Sequence, residues 1–333
     1  MKLDAKIYVA GHQGLVGSAI VRGLQRAGYR QLVLRTRQEL DLTDQSAVRN
    51  FFHREQPQFV FLAAAKVGGI LANSTYPAEF VFQNLQIATN VLESAQENGT
   101  ERLLFLGSSC IYPKLAPQPL REEYLLSGPL ESTNRAYAVA KIAGIEMCWA
   151  LNRQYGARFL SVMPTNLYGP GDNYDLQNSH VIPALIRKMH EAKINHRSEV
   201  LLWGTGTPRR EFLYSDDLAD ACLFLMNLHP EAFDPLVRSE VDAPLINVGT
   251  GEDQTIRELA QEIASVVEFD GELRFDTAKP DGTPQKLMDI SRITTLGWRP
   301  SVSLRSGLNR VYKNFLDLSD TSVRARDAKS LVG

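Results

Sequence analysis

The chain has 333 residues, enough for two domains or one large α/β unit, so its core needs no disulfide or metal staple. Hydrophobic residues at 44% and charged residues at 22% exclude a disordered or collagenous chain. Lys plus Arg at 36 against Asp plus Glu at 38 gives a formal charge of −2, which argues against a general nucleic-acid binder.

In chain order, residues 6–10 read as a short buried strand and 15–27 as a helix. A second strand is predicted at 31–34, then a helix at 45–54 capped by Thr43 or Asp44. A third strand spans 59–63. Pro77 opens a long helix that stops near Gly99, with Pro in front and Gly behind as helix ends prefer. A fourth strand at 102–106, a helix at 136–155 and a fifth strand at 158–162 complete the alternation. Such alternation predicts a doubly wound parallel sheet of Rossmann type, covered on both faces. Beyond Pro164 the pattern is irregular. Residues 165–179, rich in Asn, Gly, Pro and Asp, read as a functional loop. A helix is predicted at 181–191, strands at 200–203 and 212–214, a helix from Asp216 or Asp217 to Leu228, a strand at 246–248 and an amphipathic helix at 255–267.

These elements divide into a dinucleotide-binding domain at 1–168, with returning segments near 212–250, and a smaller mixed α/β substrate domain at 169–211 and 251–318. A polar, frayed tail is expected over 319–333. No apolar run reaches the ~18 residues of a membrane span, and no signal-peptide core precedes the first strand. Three widely spaced cysteines suit a reducing compartment, the cytoplasm. Cys148 and Cys222 read as packing residues, and the N-x-S/T matches at Asn73 and Asn98 as chance. The six histidines contain no H-x-x-x-H pair, so no metal site is expected.

Gly11-His12-Gln13-Gly14-Leu15-Val16-Gly17 lies between the first strand and the first helix. Glycine lets the chain turn sharply and lets a phosphate approach the backbone at the helix N-terminus. The flanking strand and helix supply the context this motif needs. The second strand ends in Arg35 and Arg37 rather than a carboxylate, which suits the 2′-phosphate of NADP; Glu39 and Asp41 lie near enough to leave the cofactor choice open.

Tyr137 and Lys141 stand at i and i+4, on one face of a helix. A phenol near pKa ~10 is a poor acid or base at neutral pH, and a neighbouring ammonium favours its ionised form. Ser108 and Ser109 follow the fourth strand, where an open α/β sheet presents its crevice.

On these motifs the chain resembles the extended short-chain dehydrogenase/reductase superfamily over nearly its whole length. Five further segments narrow the resemblance. They are Leu106-Gly107-Ser108-Ser109-Cys110-Ile111-Tyr112-Pro113, Met163-Pro164-Thr165-Asn166-Leu167-Tyr168-Gly169-Pro170, Asn178-Ser179-His180-Val181-Ile182-Pro183, Trp203-Gly204-Thr205-Gly206 and Lys279-Pro280-Asp281-Gly282-Thr283-Pro284. Together they are similar to the bifunctional nucleotide-sugar epimerase/reductases. That resemblance implies NADPH-dependent 3,5-epimerisation and 4-keto reduction of GDP-4-keto-6-deoxy-D-mannose to GDP-L-fucose, in a homodimer.

The resemblance further implies that Ser108, Tyr137 and Lys141 form the reductase triad, and that Cys110 and His180 are the epimerisation acid/base pair. Lys188, Trp203, Arg210 and Asp281 would contact the GDP-sugar. Residues 11–17, Arg37, Leu106, Gly107, Ser109 and Pro164, Thr165, Asn166, Leu167 would hold NADPH. The residue types suit the chemistry. A 4-ketone acidifies the hydrogens at C3 and C5, and Cys (~8.5) and His (~6.5) straddle neutral pH. Lys188 and Arg210 suit a diphosphate, and Trp203 can stack on a base or sugar.

Each position has a plainer reading: Cys110 as a buried packing residue, His180 as a loop histidine, Trp203 as core, Lys188 as a solvated helix charge. The resembling enzymes carry Arg where this chain has Gln13, which weakens the 2′-phosphate site. Two rival functions are a nucleotide-sugar 4,6-dehydratase or 4-epimerase and a non-catalytic NADP-binding sensor. Dehydratases of the superfamily carry Thr-Asp-Glu where this chain has Ser108-Ser109-Cys110. Retention of Ser, Tyr and Lys together argues against the sensor.

Overall fold

The computed structural model describes residues 1–176, 179–279 and 281–330. Asn178 and Pro280, members of two motifs above, lie outside the described residues, as do residues 331–333 of the expected tail.

The first half follows its hydrophobic pattern. In order come β1 (Ile7–Ala10), α1 (Leu15–Arg26), β2 (Leu32–Val33), α2 (Gln45–Glu55), β3 (Phe59–Leu62), α3 (Ile70–Thr75), α4 (Pro77–Glu97), β4 (Arg102–Leu106), α5 (Arg135–Tyr155) and β5 (Phe159–Pro164). Asp44, not Thr43, caps α2, accepting from the Ala47 N–H at 2.9 Å. Strands β1, β3, β4 and β5 are buried along their whole length, as in a sheet covered on both faces. After them come β6 (Asn166–Tyr168), α6 (Val181–Ile194), β7 (Glu199–Trp203), β8 (Arg209–Tyr214), α7 (Ser215–Asn227), α8 (Pro230–Val237) and β9 (Leu245–Val248). The chain closes with β10 (Asp253–Thr255), α9 (Ile256–Val267), β11 (Glu272–Asp276), β12 (Gln285–Lys286), α10 (Ser291–Thr295) and α11 (Leu304–Ser330).

The large sheet has the order β2-β1-β3-β4-β5-β9, and every neighbouring pair is parallel. The order reverses at β1, so a crevice opens beyond the carboxyl ends of β1 and β3, where α/β sheets take their ligands. Apolar side chains fill both faces of this sheet. A third core joins α6, α9 and α11 to β7 and β8. Between the two regions lies a small sheet, β10-β8-β12, with β6 also paired to β8.

Four expectations change. The predicted loop 165–179 contains β6, whose pairing to β8 puts 166–168 in the small sheet. The returning segment near 212–250 is split: α7 packs on α1 and β9 joins the large sheet, while β8 belongs to the small one. Residues near the end of 251–318 also return, because Ile293 and Trp298 are buried in the large-domain core and the Trp298 indole donates to Asp220 at 2.9 Å. The tail expected to fray from 319 continues the backbone of α11 to Ser330. No helix among the described residues is long and apolar enough to cross a membrane.

Candidate active site

The dinucleotide cradle is built by backbone. Gly11 has φ +81°, and a Cβ there would lie 2.7 Å from the Ala64 N–H nitrogen on the loop after β3. A Cβ on Gly17 would overlap the Gly11 carbonyl. Gly14 is the N-cap of α1 with no side-chain cap, so the first N–H groups of the helix, at Leu15 and Val16, stay open to an anion. His12 keeps a buried Nδ1 without a hydrogen-bond partner beside this turn, and Gln13 is exposed. An orphaned ring nitrogen, a turn that admits no side chain and an uncapped helix fit a dinucleotide diphosphate.

The adenosine end corrects one expectation. Arg35 is not free for a 2′-phosphate: it donates to Glu55 at 3.0 Å and to the Leu34 carbonyl at 2.8 Å, and lies 5.9 Å from the Phe51 ring centre. Arg37 remains, with its side chain 74% exposed and paired with Asp41 at 3.7 Å. Glu39 is turned back on Thr36, accepting from its N–H at 2.7 Å and its hydroxyl at 2.8 Å.

Leu106 and Gly107 close β4, and the chain then makes a 3-10 turn, Ser109–Ile111. Ser108 caps it, accepting from the Cys110 N–H at 3.4 Å. Ser109 and Cys110 are buried. From α5, the buried Lys141 donates to the Leu106 carbonyl at 2.7 Å, and its ammonium lies 5.7 Å from the Tyr137 ring centre. Burial pulls Lys141 down to about 8. Burial also pushes the Tyr137 phenol well above its ordinary value, and Cys110 adds to the rise. The expected stabilisation of phenolate by Lys141 therefore loses to desolvation, and Tyr137 stays protonated at neutral pH. Phe80 meets Tyr137 edge-on at 6.3 Å. Burial raises the Cys110 thiol as well, against the pull of Lys286, Ser108 and Lys141. Cys148 and Cys222 are fully buried packing residues.

Pro164 ends β5 on the same side of the sheet. Thr165 and Asn166 both donate to the Glu211 carbonyl, at 3.2 and 2.9 Å, and Leu167 packs against the large core. Across the crevice stand the substrate-side candidates. Trp203 is 69% exposed at the end of β7, which rules out the core reading. Lys188 and Lys279 stand 5.9 and 5.6 Å from its ring centre. Lys188 is half-buried and shifted downward by burial, so it is not a freely solvated helix charge. Asp281 holds the 204–207 turn, accepting from the Thr205 N–H at 2.9 Å and its hydroxyl at 2.7 Å. His180 is exposed where α6 begins, near the buried Asp172 carboxylate. Cys110 lies close enough to Tyr137 and Lys141 to act on both electrostatically, and among the described residues no hydrogen bond or ion pair joins His180 to Cys110 or Tyr137.

Lys286 is the residue sequence reasoning misses. Parallel pairing of β12 with β8 sets it directly opposite Arg210, and its charge pulls the Cys110 thiol downward. Neither Arg210 nor Lys286 forms an ion pair among the described residues; the more distant Asp281 and Glu131 supply the nearest acidic charge. Two like charges side by side repel, so this row is built for an anion. Its only signal in the sequence is a basic residue two positions after the Lys279–Pro284 motif. Among the described residues no group of acidic, His or Cys side chains could hold a metal.

The NAD dependent epimerase/dehydratase family profile matches residues 7–235. "GDP-L-fucose synthase 1" of Arabidopsis thaliana is 57% identical over 313 residues, covering 94% of each chain. "GDP-L-fucose synthase" of Escherichia coli K12 is 55% identical over 315 residues, covering 95% of this chain and 98% of its own. Among solved structures, a GDP-L-fucose synthetase from Naegleria fowleri bound to NADP superposes with a TM-score of 0.85 at 28% identity, covering 96% of this chain and 95% of that one. The chain belongs to the NAD dependent epimerase/dehydratase family of extended short-chain dehydrogenases/reductases, alongside the GDP-L-fucose synthases.

Proposed function

We infer that this chain carries out NADPH-dependent 3,5-epimerisation and 4-keto reduction of GDP-4-keto-6-deoxy-D-mannose, giving GDP-L-fucose. The observation that carries the reading is a second proton-handling group, Cys110, buried beside Tyr137 and Lys141 and within the electrostatic reach of Lys286. A plain reductase needs only the triad. Inverting C3 and C5 needs a proton taken from one face of the sugar and one given on the other. Burial keeps Cys110 a thiol able to give a proton, and the ammonium groups of Lys286 and Lys141 stabilise the thiolate left behind. His180 is the partner for the opposite face. Its exposed place before α6 lets it meet a sugar that spans the crevice.

Tyr137, protonated at neutral pH, supplies the proton to the C4 oxygen, with the Ser108 hydroxyl bonded to the same oxygen. NADPH, when bound, supplies the hydride to C4. Residues 11–17 hold its diphosphate, Arg37 its 2′-phosphate, and Leu106, Gly107, Ser109 and residues 164–167 its nicotinamide end. Arg210, Lys286 and Lys188 take the substrate diphosphate, and Trp203 takes the guanosine end, supported by Asp281 through the 204–207 turn. We place the reaction in the cytoplasm, which the free, buried cysteines support, and in a homodimer, which Phe82 on α4 and Val139 on α5, 65% and 41% exposed, support.

Two substitutions test the reading. With Tyr137→Phe, NADPH oxidation should fall by ~10²–10⁴-fold, the scale of a lost positioned proton donor, while deuterium from D₂O still enters C3 and C5. With Cys110→Ala, that exchange and GDP-L-fucose formation should collapse together. A Cys110→Ala protein that exchanges deuterium and makes GDP-L-fucose at the parent rate would reduce Cys110 to packing.

A further inference from the structure

Glu211 follows Arg210 on β8 and is fully buried. A buried carboxylate is costly unless paired, yet among the described residues Glu211 forms no ion pair. Its oxygens instead accept backbone N–H groups from two separate segments: Thr250 at 2.6 Å and Gly251 at 2.8 Å on one oxygen, Met288 at 2.8 Å on the other. A Cβ on Gly249 would overlap the carboxylate, so the turn after β9 is shaped around it. Its main-chain carbonyl receives Thr165 and Asn166. One residue therefore joins the ends of β5 and β9 to β8 and to the segment after β12.

The β12–β8 ladder has only two residue pairs, Gln285 with Arg209 and Lys286 with Arg210. So short a ladder fixes register weakly, and a slip of one residue would turn Lys286 to the opposite face. The Met288 N–H bonded to Glu211 lies two residues beyond Lys286 and ties the segment to β8, while Leu120 and Gln118 hold its other edge.

We propose that Glu211 is a positioning residue, which keeps Arg210 and Lys286 aligned as one anion-binding row facing the Cys110 end of the crevice. This rests on the assignment of that row to the substrate diphosphate. The Glu211 side chain acts through the two cations, and its substitution keeps the main-chain carbonyl that receives Thr165 and Asn166, so changing the carboxylate loosens the nucleotide and spares the dinucleotide cofactor.

The test uses the full chain and calorimetric titration with GDP and, separately, with NADP+. Glu211→Gln turns one N–H acceptor into a donor facing a donor and should weaken GDP by about tenfold, the scale of a lost hydrogen bond to a charged group. NADP+ affinity should change by less than about twofold. In a Lys286→Met background the same substitution should add less than about twofold for GDP, because residues that act as a unit are not additive. If Glu211→Gln does not fold, Gly249→Ala, which crowds the same carboxylate, replaces it with the same expectations. Equal loss of GDP and NADP+, or a full tenfold effect retained beside Lys286→Met, would make Glu211 an ordinary structural residue and overturn the proposal. If Lys286→Met alone leaves GDP binding unchanged, the diphosphate row itself is wrong and the role of Glu211 falls with it.

Discussion

Replacing Lys141 with Met should abolish the reaction and yet stabilise the fold at neutral pH. Lys141 is 4% exposed and, among the described residues, its hydrogen bond goes to the Leu106 carbonyl at 2.7 Å. Burial lowers its pKa from 10.5 to about 8. At 1.36 kcal/mol per unit, that drop corresponds to about 3 kcal/mol of penalty on the charged side chain. A basic group depressed by folding carries its full penalty below the folded value, about 8 here, and loses it as pH rises to the ordinary 10.5. Met removes the penalty but leaves the Leu106 carbonyl without its donor, at a cost of about 1–3 kcal/mol. The variant should therefore be more stable than the parent by about 0–2 kcal/mol at pH 7 and less stable by about 1–3 kcal/mol near pH 10.5. The swing of about 3 kcal/mol between the two pH values does not depend on the worth of the hydrogen bond. Urea unfolding of both proteins at the two pH values measures it, since groups common to both cancel. A stability difference that stays the same at both would refute the argument, whatever its sign. NADPH oxidation by Lys141→Met should fall by at least ~10²-fold.

Cofactor preference should answer to Gln13 and Arg37 but not to Arg35. Gln13→Arg should raise NADPH over NADH by about tenfold and Arg37→Ala should lower it, from a charge-assisted contact of ~1.5–3 kcal/mol, while Arg35→Ala, whose partner is Glu55, should alter stability and leave the ratio of kcat/KM values unchanged. Lys286→Met should raise KM for the GDP-sugar by about 10–100-fold, with KM for NADPH within about twofold, because one phosphate-facing charge is lost. Gly17→Ala should remove detectable NADP+ binding, since its Cβ would fall on the Gly11 carbonyl; retained binding in a fluorescence titration would show that the turn relaxes at little cost.

The large sheet was legible because its strands are continuous apolar runs and its helices carry local stop signals. Pro77 opens α4, Asp44 caps α2, and Gly11 and Gly17 sit where the β1–α1 turn admits no side chain. The placement of the candidate site residues was legible for the same reason: Tyr137 and Lys141 share a helix face by spacing alone, and Ser108 and Cys110 follow a strand end. The small sheet was not. β6, β10 and β12 have two or three residues each, too few to show a period of two.

The sequence by itself determined the alternating architecture, the phosphate turn and the residue types of the reaction, because each is written within a few neighbouring positions. Only the tertiary structure decided that Arg35 belongs to Glu55, twenty residues away, that His180 is exposed at the start of α6, and that Lys286 pairs in register with Arg210. It also decided that burial, not the Lys141 ammonium, governs the Tyr137 proton. These are properties of charges brought together from distant segments and taken out of water, and their energies depend on separation in space and on desolvation, which no local pattern of residues records.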